Sequence, residues 1–130
     1  MIRLCSQSEA LEILNEPQTI ERLGLISEKV FSPWIVSEGD HKLMFVFWIV
    51  SEGEYEMHIA CPKKSIIKSR FLAKKAMDFV FSLGAKKIIT DCPKGKISNM
   101  AIKLGMSEYK RVGDKVYFEV SYGCWCSNNR

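Results

Sequence analysis

Residues 55–91 read YEMHIACPKKSIIKSRFLAKKAMDFVFSLGAKKIITD, and the reading of this stretch decides the fold. Tyr55, Met57 and Ile59 alternate with Glu56, His58 and Ala60, which is the period of a strand. Ile67, Phe71, Leu72, Ala76, Phe79, Val80 and Leu83 then recur at helical spacing, while Lys64, Lys68, Lys74, Lys75 and Asp78 fall mostly elsewhere. Ser65 is placed to cap that helix and Gly84 to stop it. Ile88-Ile89-Thr90 is a short apolar run with the length of a buried strand. A strand over 55–61, a helix over 65–83 and a strand over 87–91 form one βαβ unit, which predicts a parallel strand pair joined by a right-handed crossover.

Upstream, two Gly-containing turns, Ser37-Glu38-Gly39-Asp40 and Ser51-Glu52-Gly53-Glu54, separate three apolar runs and predict an antiparallel meander ending in the strand at 55. The middle run, LMFVFWIV at 43–50, is apolar at every position, so both of its faces are expected to be covered. The hexapeptide Trp-Ile-Val-Ser-Glu-Gly occurs at 34–39 and again at 48–53 and reads as the same strand-plus-turn chemistry used twice. Further upstream, Ser6-Gln7-Ser8-Glu9 is a capping box before Ala10, Leu11, Ile13 and Leu14, predicting a helix over 7–15. Ile20, Leu23, Ile26 and Val30 predict a second one over 17–29. Downstream, a helix over 96–104 stops at Gly105, and strands at 108–112 and 115–122 flank Gly113-Asp114, a hairpin signal. Residues 124–130 read as a polar tail that frays.

Composition bounds the function classes. The chain has 130 residues, 47% hydrophobic and 26% charged, enough for one core in one domain over residues 1–123. The most apolar run lasts eight residues, whereas a spanning helix needs about 20. No membrane partner is therefore expected, and because residues 1–16 are amphipathic rather than a basic-then-apolar leader, no signal peptide is expected either. The five cysteines are odd in number, which argues against a disulfide framework; Cys124-Trp125-Cys126 lacks a second pair of ligands for a metal. A reducing compartment and no metal are expected. Charge is divided along the chain: residues 1–60 carry 4 Lys+Arg against 10 Asp+Glu, and residues 61–115 carry 14 against 4. One half is anionic and the other cationic, which excludes a uniformly basic coat protein and an acidic tail.

Two local cadences point to a family. Gly84-Ala85-Lys86-Lys87-Ile88-Ile89 and Ala101-Ile102-Lys103-Leu104-Gly105-Met106, together with the element order, resemble the GCN5-related N-acetyltransferases, with Met106 in place of the usual Phe. A strand at 2–5 completes the pattern. The resemblance implies an α/β (α+β) single-domain acetyltransferase-like fold. Its sheet is mixed and mostly antiparallel, with one βαβ crossover and a terminal hairpin. It also implies acetyl-CoA as the family's cofactor, its pyrophosphate held by a [Q/R]-x-x-G-x-[G/A] loop between the fourth strand and the long helix. The glycines of that loop let backbone N–H groups reach the phosphates.

Here the corresponding stretch is Cys61-Pro62-Lys63-Lys64-Ser65-Ile66-Ile67-Lys68-Ser69-Arg70, with no glycine and with bulky Ile66 and Ile67. If acetyl-CoA binds, its site is Lys63, Lys64, Ser65, Lys68 and Arg70. The family's frequent general-acid Tyr falls on Ala101, and its common Asn on Lys94, with Asn99 offset. Glu56 and His58, on the fourth strand, are the weak catalytic candidates; their plain reading is polar residues alternating with core ones.

With the glycines gone, the expected function is non-catalytic and the expected cofactor none. The chain as a whole, with its segment Ser-Gln-Ser-Glu-Ala-Leu-Glu-Ile-Leu-Asn-Glu-Pro at 6–17 and its cysteine-containing tail, resembles small tailed-phage proteins of head assembly or the virion. That resemblance implies protein partners such as phage structural proteins, a homo-oligomer as an option, and a place in the host cytoplasm or the virion. The alternative is an acetyl-CoA-dependent N-acetyltransferase with a divergent loop. Nucleic acid is not an expected partner: Lys outnumbers Arg in the cationic half, and Phe71 and Phe79 read as core rather than as a base-stacking platform.

Overall fold

The computed structural model describes residues 1–14 and 33–128. The expected helix over 17–29 lies outside the described residues. The strands are β1 (Ile2–Leu4), β2 (Trp34–Glu38), β3 (His41–Ser51), β4 (Glu54–Ala60), β5 (Lys87–Pro93), β6 (Ser107–Val112) and β7 (Lys115–Ser121). The helices are α1 (Gln7–Leu14), α2 (Ser69–Ser82), α3 (Lys96–Lys103) and α4 (Tyr122–Asn128), and a 3-10 helix (Lys63–Lys68) leads into α2. The strands hydrogen-bond in the order β1-β2-β3-β4-β5-β7-β6, a mixed sheet in which β4 and β5 are parallel. This is the expected α+β class with its crossover. The backbone divides into two compact units, Met1–Phe47 with His58–Ala76 and Trp48–Met57 with Met77–Arg130, and β3, β4 and α2 each run through both.

In the first unit β1 pairs antiparallel with β2, and β2 with β3 through Trp34↔Phe45 to Glu38↔His41. The turn at its end uses Gly39 at φ +58; the second copy of the hexapeptide ends on Gly53 at φ +74, so both copies finish on a left-handed residue that favours glycine. Ala10 and Ile13 of α1 are buried against Ile35, Met44 and Ala60. The capping box is present: the Glu9 N–H donates to Ser6 Oγ at 3.2 Å and the Ser6 N–H donates to Glu9 Oε1 at 3.3 Å. Arg3 adds a two-pronged pair to the Glu9 carboxylate at 2.7 and 2.8 Å. That pairing, with the bonds from Ser6, holds the Glu9 carboxyl down at about 2.

A depressed folded pKa contributes stability that is present above the unfolded value, about 4.3, and is lost as pH falls through the folded one. The α1 docking is therefore expected to loosen between about pH 4.5 and 2. Acid titrations of wild type and Glu9→Gln check this: the variant loses that part of the acid dependence, and identical acid profiles would contradict it.

In the second unit β4 starts parallel to β5, with Glu54↔Lys87, Tyr55↔Ile88 and Glu56↔Ile89. β5 pairs antiparallel with β7 along its whole length, and the β6–β7 hairpin follows as expected. Ile88 and Cys92 of β5 and Val116, Phe118 and Val120 of β7 turn one buried face inward. Lys87, Asp91, Tyr117 and Glu119 lie on the opposite face by strand alternation.

Three expectations need correction. β3 is buried at residues 43–46, but Ile49 is 64% exposed and Val50 is exposed as well; the pairing with β2 covers residues 41–45. The helix stripe is rotated: Leu72, Ala73, Ala76, Met77, Val80 and Phe81 are buried, whereas Ile67, Phe71 and Leu83 are exposed. Ile67 lies in the 3-10 segment, whose tighter turn breaks the 3.6-residue phase before α2 begins at Ser69. The tail expected over 124–130 is helical as far as it is described: Tyr122–Asn128 form α4, anchored by Trp125, which is 3% exposed. Its indole N–H donates to Asp78 Oδ1 at 2.6 Å, and its ring lies 5.8 Å from Phe81. None of the described helices is long and apolar enough to cross a membrane.

Candidate functional site

Two surfaces carry the candidate residues. The first lies where β4 ends and α2 begins. Pro62 cannot extend the strand ladder and is followed by the 3-10 turn rather than by an α-helical N-terminus. Two backbone donors at this turn are bonded locally: the Ser65 N–H bonds Pro62 O at 2.9 Å, and the Ser69 N–H bonds Ile66 O. Ser65 does not cap a helix. It is fully buried, and its Oγ accepts the backbone N–H of Lys42 at 3.0 Å, tying the turn to the start of β3. The five expected anion-binding residues are therefore separated. Lys63, Lys64, Lys68 and Arg70 stand on the surface, while Ser65 faces inward.

Sequence reading missed the apolar half of this surface. Ile66, Ile67 and Phe71 are exposed among the lysines, Ile67 at 84% and Phe71 at 43%. The ammonium groups of Lys68 and Lys75 lie over the Phe71 ring, 5.9 and 5.4 Å from its centroid. From 61 to 77 the chain has six basic residues and no acidic one. Beside Lys63 and Lys64 opens a cavity of about 610 Å³, also lined by Glu12, Ile13, Lys42 and Pro62. The signal that could have revealed the exposed apolar side chains is the helix phase: counted from Ser69, Leu72, Ala73, Ala76 and Met77 form the i, i+3, i+4 set, and Ile67 falls outside it.

The second surface is on the sheet. Glu56 is half-buried, and His58, also half-buried, shares its side of β4 by strand alternation. The Glu56 carboxylate lies within 4.8 Å of that of Asp91 on β5, a residue the sequence did not single out. Lys115 pairs with Asp91 at 3.1 Å, and Lys87 with Glu119 at 3.3 Å. Burial, then the carboxylates of Glu119, Glu54, Asp91 and Glu56, push the Tyr109 hydroxyl above its ordinary pKa. The two lysines offset part of the negative charge on this face. Ala101 is buried, with no hydroxyl to offer where the family places its Tyr. The cysteines are unbridged; burial pushes the Cys92 thiol up to about 11, so it packs as a small apolar group.

The fit of the family's cofactor can be tested on this geometry. A pyrophosphate needs backbone N–H groups free at the start of the helix and a chain without Cβ atoms to approach closely. Here the Ser65 and Ser69 N–H groups are bonded within the turn, and Ile66 and Ile67 bring branched side chains to it.

No family model matches the sequence, and no curated protein matches it. Solved structures do. A point mutant of the spermidine N-acetyltransferase of Vibrio cholerae superposes with a TM-score of 0.77 at 12% identity, covering 100% of this chain and 99% of the other. An aminoglycoside acetyltransferase solved with coenzyme A gives 0.76 at 15%, with 100% and 99% covered. The ribosomal-protein-alanine N-acetyltransferase of Brucella melitensis gives 0.68 at 11%, with 93% and 99% covered. At these identities the likeness establishes the acetyltransferase fold, and a fold does not fix a function.

Proposed function

We propose that this chain uses the acetyltransferase fold for contact with other proteins rather than for acetyl transfer, as a non-catalytic component of phage head assembly or of the virion. One observation carries the reading. Where the fold's enzymes place a glycine loop, this chain has the 3-10 turn Lys63–Lys68, with its Ser65 and Ser69 N–H groups bonded internally and Ser65 drawn into the interior by the Lys42 N–H. Such a turn presents cationic and apolar side chains outward and no backbone cradle. Loss of the cradle is tolerable for a protein that has no phosphate to bind, and the buried core is unaffected by it. The phage setting rests on the resemblance of size and sequence pattern.

Calorimetry with acetyl-CoA tests the non-catalytic half: no binding heat is expected, and micromolar affinity would overturn it. Mass spectrometry of purified particles tests the setting, since a virion component is recovered in stoichiometric amount.

A second reading, N-acetyl transfer to an amine, is favoured by the carboxylate pair Glu56 and Asp91. In it Glu56 takes the proton of the acceptor amine. The same titration decides between the two.

A further inference from the structure

The exposed residues at the start of α2 have a chemistry more specific than positive charge. We infer that Ile66, Ile67 and Phe71, with Lys63, Lys64, Lys68 and Lys75 around them, form the docking surface for an acidic polypeptide that carries aliphatic side chains among its carboxylates. The inference rests on the contact reading above and gives it a place and a partner chemistry.

Charge complementarity identifies the sign. Six basic residues lie between 61 and 77, and the first acidic residue is Asp78. Ile67 at 84% exposed and Phe71 at 43% place apolar surface at the centre of that charge, which a purely anionic partner would leave wet. Two ammonium groups over the Phe71 ring keep it flanked by positive charge. The form of the surface selects among anionic partners. A nucleic acid offers phosphates to the lysines but no aliphatic groups to Ile66 and Ile67, and among the described residues of this surface Phe71 is the one exposed ring for stacking. A bilayer is too flat to fill the cavity of about 610 Å³ beside Lys63 and Lys64, and would press its anionic headgroups on Glu12 in the cavity wall. A polypeptide can set aliphatic side chains on exposed Ile66 and Ile67 while its carboxylates meet Lys63 and Lys64 at the cavity mouth.

The test uses the whole chain and two fluorescein-labelled peptides of about 20 residues and equal charge, one with Glu and Leu at helical spacing and one with Leu replaced by Ser. Anisotropy is expected to show the Glu–Leu peptide binding at least about tenfold more tightly. It should weaken as salt rises from about 0.1 to 1 M, where the Debye length falls from about 10 to 3 Å. Ile67→Asp and the pair Lys68→Glu with Lys75→Glu should each weaken binding about tenfold or more with no change in Tm, since all three side chains are exposed. Equal affinity for both peptides, no binding of either, an unaffected Ile67→Asp variant, or tighter binding to phosphatidylserine vesicles or duplex DNA would each overturn the inference. The acetyl-CoA titration is separate: cofactor binding would overturn the non-catalytic reading whatever the peptides do, and peptide failure would leave that reading standing.

Discussion

Trp125→Ala is expected to lower the free energy of unfolding by about 3–5 kcal/mol, the range for removing a large buried aromatic side chain. Trp125 is 3% exposed, stacks at a tilt on Phe81, and has an indole N–H that donates to Asp78 on α2. Tyr122, one turn earlier, meets the same Phe81 ring at 5.5 Å. Removing the indole takes away the one buried side chain among the described residues of α4 and with it the docking of the helix. For a chain of this size the loss corresponds to a Tm drop on the order of 10 °C. Trp125→Phe keeps a ring and loses one hydrogen bond to an exposed acceptor, about 1 kcal/mol. Urea unfolding of the three proteins checks the order. If the alanine variant unfolds within about 0.5 kcal/mol of wild type, residues 122–128 are a tail after all.

Ser65→Ala carries the second largest effect, about 1–3 kcal/mol, although it removes a single oxygen atom. The Oγ is the acceptor for the Lys42 N–H, and Ser65 is fully buried, so its loss strands a main-chain donor where water does not easily reach. Ser65→Thr keeps the hydroxyl and adds a methyl group to a filled site, so it separates the hydrogen bond from the packing. Hydrogen exchange at Lys42 gives a direct readout: protection is lost in the alanine variant. Unchanged protection would mean that the Lys42 N–H is held by another acceptor. This bond ties the 3-10 turn to the start of β3, so losing it is also expected to alter the lysine surface that the turn displays.

Much of the chain is legible from local signals, for physical reasons. Capping at Ser6 and Glu9 is a contact between residues three apart, and the structure contains it as read. The alternation in β4, the apolar run at β5 and the glycines after the two copies of Trp-Ile-Val-Ser-Glu-Gly reflect backbone geometry within a few residues. Together they determine the element order, the parallel β4–β5 pair and the terminal hairpin.

What only the tertiary structure decided are pairings between distant residues. Ile67 and Phe71 match a helical stripe in spacing, yet both are exposed: Ile67 lies in the 3-10 start, which shifts its phase, and Phe71 lies beside the buried face of α2. Ser65 looks like a helix cap in sequence and is instead an acceptor for a donor 23 residues away. The tail is polar in composition, but one tryptophan reaches Asp78, 47 residues back, and makes it a helix. Asp91 comes beside Glu56 because β4 and β5 lie in parallel register, which no spacing within either strand reveals. Periodicity states which side chains share a face. Which face is buried, and which group a polar atom meets there, depends on surface removed from water by partners far along the chain.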